Sequence, residues 1–212
     1  MNTLQYILEK YNLPSQGTPI EIPNVGRIDF IRWIKELNFK KGAEIGVDHA
    51  DFSKMICENN PQLQLFGIDP WLKYKEYREY KDQAEMDGIY AQAISKMGSY
   101  IKDKRYVVVR KKSEEAVLDF EDNSLDFVYI DANHEGEYPL RDIEMWTKKV
   151  KVGGIVAGHD YVRVKILNFT IKDALEKYTK ENNINPWFVL GSNEIKEGQI
   201  RDRTRSWMFV KQ

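Results

Sequence analysis

The stretch from Lys41 to Ser53, KGAEIGVDHADFS, narrows the fold more than any other part of the chain. Residues 42–47 form a short apolar run that ends among Glu44, Gly46 and Asp48, and a helical pattern opens directly behind it. Phe52, Met55 and Ile56 give that helix one apolar face at three- and four-residue spacing. A strand that runs straight into a helix, with a glycine and carboxylates at the join, is a ligand-binding turn of an α/β sheet. In such sheets ligands sit outside the carboxyl ends of the strands, where the strand order reverses. Gly46 would let a ligand approach the backbone closely. The amides of Asp51, Phe52 and Ser53 would form a helix N-terminus open to a carboxylate or phosphate. An ordinary tight strand-to-helix turn is the competing reading.

The dinucleotide fingerprint requires G-x-G-x-x-G, and here Asp48 and Ala50 stand where further glycines would be. A pyrophosphate would meet the charges of Glu44 and Asp48. A ligand that joins a cationic part to a carboxylate fits better, and S-adenosylmethionine is such a ligand.

The 212 residues suffice for one α/β domain with an N-terminal appendage. Net charge is −1 with no basic block, so no nucleic-acid partner is expected. Cys57 is the only cysteine, which excludes a disulfide framework and a cysteine-rich zinc site. It lies beside the apolar helix face and reads as a buried, inert thiol. No apolar run approaches the roughly 18 residues of a membrane span, and no signal-peptide pattern opens the chain. A cytoplasmic location is expected from these absences.

In chain order, residues 1–13 read as an amphipathic helix and 14–27, with three prolines and two glycines, as a loop. Residues 29–37 form a second helix with Phe30, Ile34 and Leu37 inward. Strands follow at 42–47, 64–69, 106–110, 125–131 and 155–158, the last entered through a Gly153–Gly154 turn. Intervening helices fall at 52–58, from Ser113, at 137–150 and at 168–180. Two closing strands at 187–190 and 206–210 can pair antiparallel. Between 71 and 104 lies an insert of two helices rich in tyrosine: Tyr74, Tyr77, Tyr80, Tyr90 and Tyr100. It reads as an aromatic lid or acceptor wall, or equally as a surface or dimer helix, and it leaves a homodimer open.

Titratable residues gather just past the ends of four strands. Glu44, Asp48 and His49 follow the first, Asp69 the second, Asp131 and His134 the fourth, His159 and Asp160 the fifth. All three histidines of the chain are in this set, which outlines one cleft. Asp69 stands 25 residues after Glu44 at the next strand end. That spacing suits a carboxylate accepting ribose hydroxyls, although a turn aspartate before Pro70 has the same appearance. Pro70 and Trp71 are placed to pack on an adenine. Ser113 would meet its far edge, or cap its own helix.

The run from Gly42 to Asp160 resembles the class I S-adenosylmethionine-dependent methyltransferases. The motifs that carry the resemblance are AEIGVD at 43–48, LFGID at 65–69, LDFVYIDANH at 125–134 and VGGIVAGHDY at 152–161. The glycine turn departs from the G-x-G-x-G of that family. The likeness is greatest to its small-molecule O-methyltransferases. It implies a Rossmann-like, seven-stranded, mostly parallel sheet with an antiparallel terminal strand and helices on both faces. Residues 1–38 would be a helical cap and loop, and 39–212 the catalytic domain.

The resemblance also implies roles. Glu44, Gly46 and Asp48 would flank the methionine part of S-adenosylmethionine together with Phe52 and Ser53, Asp69 the ribose, Ser113 the adenine. Asp131, His159 and Asp160 match a divalent-cation site of several such enzymes, for Mg or Mn; the pair His159–Asp160 departs from the more usual Asp-Asn. His134 falls where the catechol-type enzymes place a lysine base, and a histidine titrates near pKa ~6.5, suited to taking a hydroxyl proton. The expected reaction is methyl transfer to a hydroxyl of a small molecule, a sugar or a phenol, with Asp131 and His134 catalytic. The rivals are a catalytically inactive nucleoside-binding module of the same fold, a metal-dependent oxygenase or hydrolase, and an NAD-dependent reductase.

Overall fold

A computed structural model describes residues 2–73, 82–163, 169–194, 197 and 201–212. Tyr74, Tyr77 and Tyr80 of the aromatic insert and Asn168 lie outside the described residues. The elements in chain order are α1 (Thr3–Tyr11), β1 (Ile20–Ile22), α2 (Arg27–Glu36), β2 (Lys41–Ile45), α3 (Asp51–Asn59), β3 (Gln64–Ile68), α4 (Gln83–Lys102) and β4 (Tyr106–Val109). There follow α5 (Ser113–Ala116), β5 (Leu125–Ile130), α6 (Tyr138–Lys149), β6 (Val150–Gly158), α7 (Ile171–Glu181), β7 (Phe188–Leu190) and β8 (Trp207–Val210).

The strands form one sheet in the order β1-β7-β8-β6-β5-β2-β3-β4. β8 runs antiparallel to both its neighbours, and every other pairing is parallel. From β2 the chain winds outward through β3 and β4, then returns to β5 and winds the other way. The order therefore reverses between β2 and β5, which is where such a sheet opens a crevice at its carboxyl edge. The Rossmann-like, mostly parallel sheet expected from the sequence is present, with one strand more than expected.

That extra strand is β1, inside the stretch read as a loop. Ile20 and Ile22 are buried with Glu21 turned out, the alternation of a strand with one covered face. Pro19 and Pro23 flank the strand instead of interrupting it, which is where a residue without an amide hydrogen is tolerated. β1 pairs with β7, and α2 lays Phe30 against Phe127 and Tyr129 at ring distances of 5.4 and 5.3 Å. The first 38 residues thus share the sheet and its core with the rest.

The second difference concerns Gly153 and Gly154, which lie within β6 and not in a turn before it. Between Leu125 and Phe127 the β5–β6 register shifts, from Leu125 opposite Val150 to Phe127 opposite Ile155. Gly153 takes φ +82°, and a Cβ on Gly154 would stand 2.5 Å from the Asp126 carbonyl oxygen. The glycine pair absorbs a bulge in a continuous strand.

Helices cover both faces. Glu44 of β2 turns toward α3, where Ser53 donates to it, while Ala43 and Ile45 join the core shared with α6 and α7. β5 is buried on both sides, Phe127 and Tyr129 in one core, Val128 and Ile130 in the other, as a central parallel strand must be.

Candidate active site

The β2–α3 turn is built on left-handed backbone. Gly46, Asp48 and Ala50 have φ of +88°, +48° and +59°. The two positions where the sequence lacks the family's glycines keep the glycine-like conformation, at a cost of roughly 1 kcal/mol or more each. The requirement at Gly46 is packing: a Cβ there would lie 2.1 Å from the Asp131 carbonyl oxygen, so the glycine admits the backbone leaving β5 and not a ligand.

Asp69 ties this turn together. Its Oδ2 accepts the Val47 amide at 2.9 Å and the Asp48 amide at 3.1 Å, and its Oδ1 accepts the Trp71 amide at 2.7 Å. With about two acceptor positions per carboxylate oxygen, Oδ1 keeps one free for a further donor. Burial raises the Asp69 carboxyl above its ordinary range in spite of the three amides.

Glu44 is 2 % exposed and accepts a hydrogen bond from Ser53 Oγ, which lies 3.1 Å from the Tyr106 hydroxyl. Burial, with the charges of Asp131 and Asp69 nearby, raises the Glu44 carboxyl to about 8. Ser53 is fully buried and spent on Glu44, so its hydroxyl does not face a ligand. Phe52 packs on Tyr129 at 4.6 Å and lines the cleft.

Past β5 and β6 the structure brings Asp131, His134, His159 and Asp160 together. His134 Nε2 lies 3.0 Å from Asp160 Oδ2 and 3.8 Å from Asp131 Oδ1. His159 Nδ1 lies 3.2 Å from Asp160 Oδ1 and 4.0 Å from Asp131 Oδ1. Burial works against charge on Asp131, His159 and Asp160. At Asp160 the hydrogen bonds from His134 and His159 outweigh it and hold the carboxyl far below its usual range. His159 is held above its usual range by Asp160 and Asp131 against burial. Asp131, lacking such hydrogen bonds, is raised by burial despite the two histidines.

Asp131, His134 and Asp160 each offer a ligand atom, all within 4.8 Å of one another. Bonds of ~2.1 Å put neighbouring ligands on an octahedral cation ~3 Å apart, so the 3.0 and 3.8 Å separations fit a shared ion. The cation triad expected from the sequence is Asp131, His159 and Asp160; the group whose ligand atoms lie together is Asp131, His134 and Asp160, with His159 Nδ1 against the other Asp160 oxygen. Two carboxylates and an imidazole suit Mn, Fe or Zn at least as well as Mg.

These strand ends border one cleft of about 660 Å³, reaching from Pro70 and Ser113 at one end to Asp131 and His134 at the other. Trp71 does not form its wall. The indole is 1 % exposed, packs on Tyr90 at 5.0 Å and donates from Nε1 to the Asp48 carbonyl at 3.0 Å; Pro70 and Leu72 line the cleft instead. Nor does Ser113 cap α5, whose cap residue is Lys112. Its hydroxyl donates to Asp142 Oδ1 and accepts the Trp146 indole N–H at 2.8 Å.

Asp142 and Arg27 are among the cleft residues that the sequence reading did not assign to the site. Asp142 is 5 % exposed, and burial raises its carboxyl to about 6. Its signal was an acid four residues before Trp146 on the inward face of α6. Arg27 falls at the end of the stretch 14–27 read as a loop that helps to shape the acceptor pocket; in the structure it is the first residue of α2.

The profile of a family described as "Methyltransferase domain" matches residues 42–161. A curated relative, "Uncharacterized protein y4gI" of Sinorhizobium fredii (strain NBRC 101917 / NGR234), is 24% identical over 119 residues. That match takes in 56% of this chain and spans 12% of the relative's length. Among solved structures, an O-methyltransferase from Bacillus cereus in complex with SAH superposes with a TM-score of 0.59 at 16% identity, covering 100% of this chain and 91% of that one. The O-methyltransferase TomG from Streptomyces achromogenes, in complex with SAM, gives 0.59 at 10% identity and the same coverage. A spermidine synthase from Thermotoga maritima also matches, at 0.55 and 13% identity over 82% of this chain and 55% of that one, so the fold by itself does not select the reaction. The architecture is that of the class I S-adenosylmethionine-dependent methyltransferases. The chain belongs to the methyltransferase-domain family.

Proposed function

We propose that the protein transfers a methyl group from S-adenosylmethionine to a hydroxyl of a small molecule, in the cytoplasm, with a divalent cation assisting. The observation that carries this reading is the continuity of the cleft. One hollow is lined both by Asp69, whose carboxylate has an acceptor position left over, and by Asp131 and His134 of the candidate cation cluster.

The residues present fit the cofactor. Asp69 Oδ1 would accept from the ribose, Pro70 and Leu72 offer an apolar wall to the adenine, and Glu44 is an acid at the methionine end. When bound, the cofactor supplies an electrophilic methyl group. The chain's part is to align the acceptor oxygen with it, a contribution of several kcal/mol, and to take or weaken the hydroxyl proton. His134 Nε2, held against Asp160, is the nitrogen nearest that task. A nitrogen bound to a cation has no lone pair left for a proton. His134 therefore serves either as base or, with Asp131 and Asp160, as a ligand that would hold a cation, whose chemistry there would be to make the acceptor hydroxyl more acidic.

Incubation with S-adenosylmethionine and a panel of phenols and sugars, read by mass spectrometry for S-adenosylhomocysteine and a product 14 Da heavier than its acceptor, tests the proposal. Tight nucleoside binding without turnover on any acceptor would favour the inactive binding module. With an acceptor in hand, His134→Ala should slow turnover by about a hundredfold while barely altering S-adenosylhomocysteine affinity; an unchanged rate removes His134 from the mechanism.

A further inference from the structure

Arg27 enters the cleft from the N-terminal segment and is fixed at both ends of its side chain. Its backbone amide donates to Asp202 Oδ2 at 2.7 Å, and Gly26 before it has no room for a Cβ, which would meet the same oxygen at 2.7 Å. The guanidinium lies over the Phe52 ring, 5.5 Å from its centroid. It lines the cleft beside Glu44 and Asp131, yet among the described residues no carboxylate pairs with it. Its neighbours are engaged elsewhere: Glu44 by Ser53, Asp131 by the two histidines, Asp202 by the Arg27 amide.

A half-buried guanidinium with its donor fork open is a preorganised site for a planar anion. The Arg27 charge is felt at Glu44 and Asp131, where burial, the largest influence, raises both carboxyls and the field of Arg27 acts in the opposite direction.

We propose that Arg27 binds a ligand carboxylate inside the cleft, stacked on Phe52 and facing the transfer centre. Two carboxylates are candidates: the one on the cofactor's own methionine part, and one carried by the methyl acceptor, which would then be a hydroxy acid. This inference rests on the nucleoside reading and is separable from it.

The test compares the wild-type chain with Arg27→Gln and Arg27→Lys by calorimetry. The first pair of probes is S-adenosylhomocysteine and 5′-methylthioadenosine, which lacks the amino-acid carboxylate. The second, added to the S-adenosylhomocysteine complex, is 3,4-dihydroxybenzoate against catechol. If Arg27 holds the cofactor, Arg27→Gln weakens S-adenosylhomocysteine by about tenfold or more and leaves 5′-methylthioadenosine unchanged, with partial recovery in Arg27→Lys. If it holds the acceptor, S-adenosylhomocysteine is unaffected and the preference for dihydroxybenzoate over catechol disappears. No change in either pair, or equal loss of both nucleosides, overturns the proposal. Failure of the wild-type chain to bind either nucleoside would instead sink the parent reading.

Discussion

Asp69 joins two tasks in one carboxylate. It holds the β2–α3 turn through three backbone amides and offers its remaining acceptor position to the cleft. Asp69→Ala should therefore lower the melting temperature as well as weaken S-adenosylmethionine by at least about tenfold, since the part-buried Val47 and Trp71 amides would lose their acceptor. Unchanged cofactor affinity by calorimetry would count against the ribose role. The place of Asp69 at the end of the second core strand was legible in the sequence because it depends only on strand length and order. The amide contacts were not, because they depend on how the turn folds back. Trp71 shows the same limit: its place after Pro70 was readable, while its burial under α4 follows from the left-handed backbone at φ +44°.

Elements are set by backbone approach as much as by side-chain pattern. Gly46 admits the chain leaving β5, so Gly46→Ala should destabilise the fold by about 2–5 kcal/mol, combining left-handed strain with a clash that only backbone movement relieves. Chemical denaturation measures this; a loss under 1 kcal/mol would mean that the turn relaxes freely. The parallel core strands were readable because each is a continuous apolar run. β1 was not, because three residues between prolines carry too little pattern, and only the waiting edge of β7 makes them a strand. The bulge in β6 escaped for a related reason. A glycine pair signals a turn in sequence, and the register shift that absorbs it exists only once β5 lies alongside. At the site, the strand-end acids and histidines were legible as a set, but which Asp160 oxygen each histidine meets, Oδ2 for His134 and Oδ1 for His159, depends on how the loops past the strands fold.

Across the whole molecule the buried acids tie stability to pH. Glu44 is raised from 4.5 to about 8 and Asp142 from 3.8 to about 6. Between its ordinary and its folded value, each binds a proton in the native state that the unfolded chain releases, so stability falls as pH rises through those windows. Asp160, held low, acts oppositely: its contribution is present above its ordinary value and is lost as pH falls below. Stability should peak in mildly acidic solution and decline toward pH 8, and Glu44→Gln should flatten the part of that decline above pH 6. A parallel decline in the variant would show that Glu44 is ionised throughout. Among the described residues no helix is long and apolar enough to cross a membrane, and the cleft at the β2–β5 reversal is the feature on which the functional account depends. A crystal structure of the protein grown with S-adenosylhomocysteine tests it most directly. The account predicts density for the nucleoside within hydrogen-bonding reach of Asp69, with its sulfur end directed toward Asp131 and His134. A saturated complex with the ligand bound away from these strand ends would contradict it.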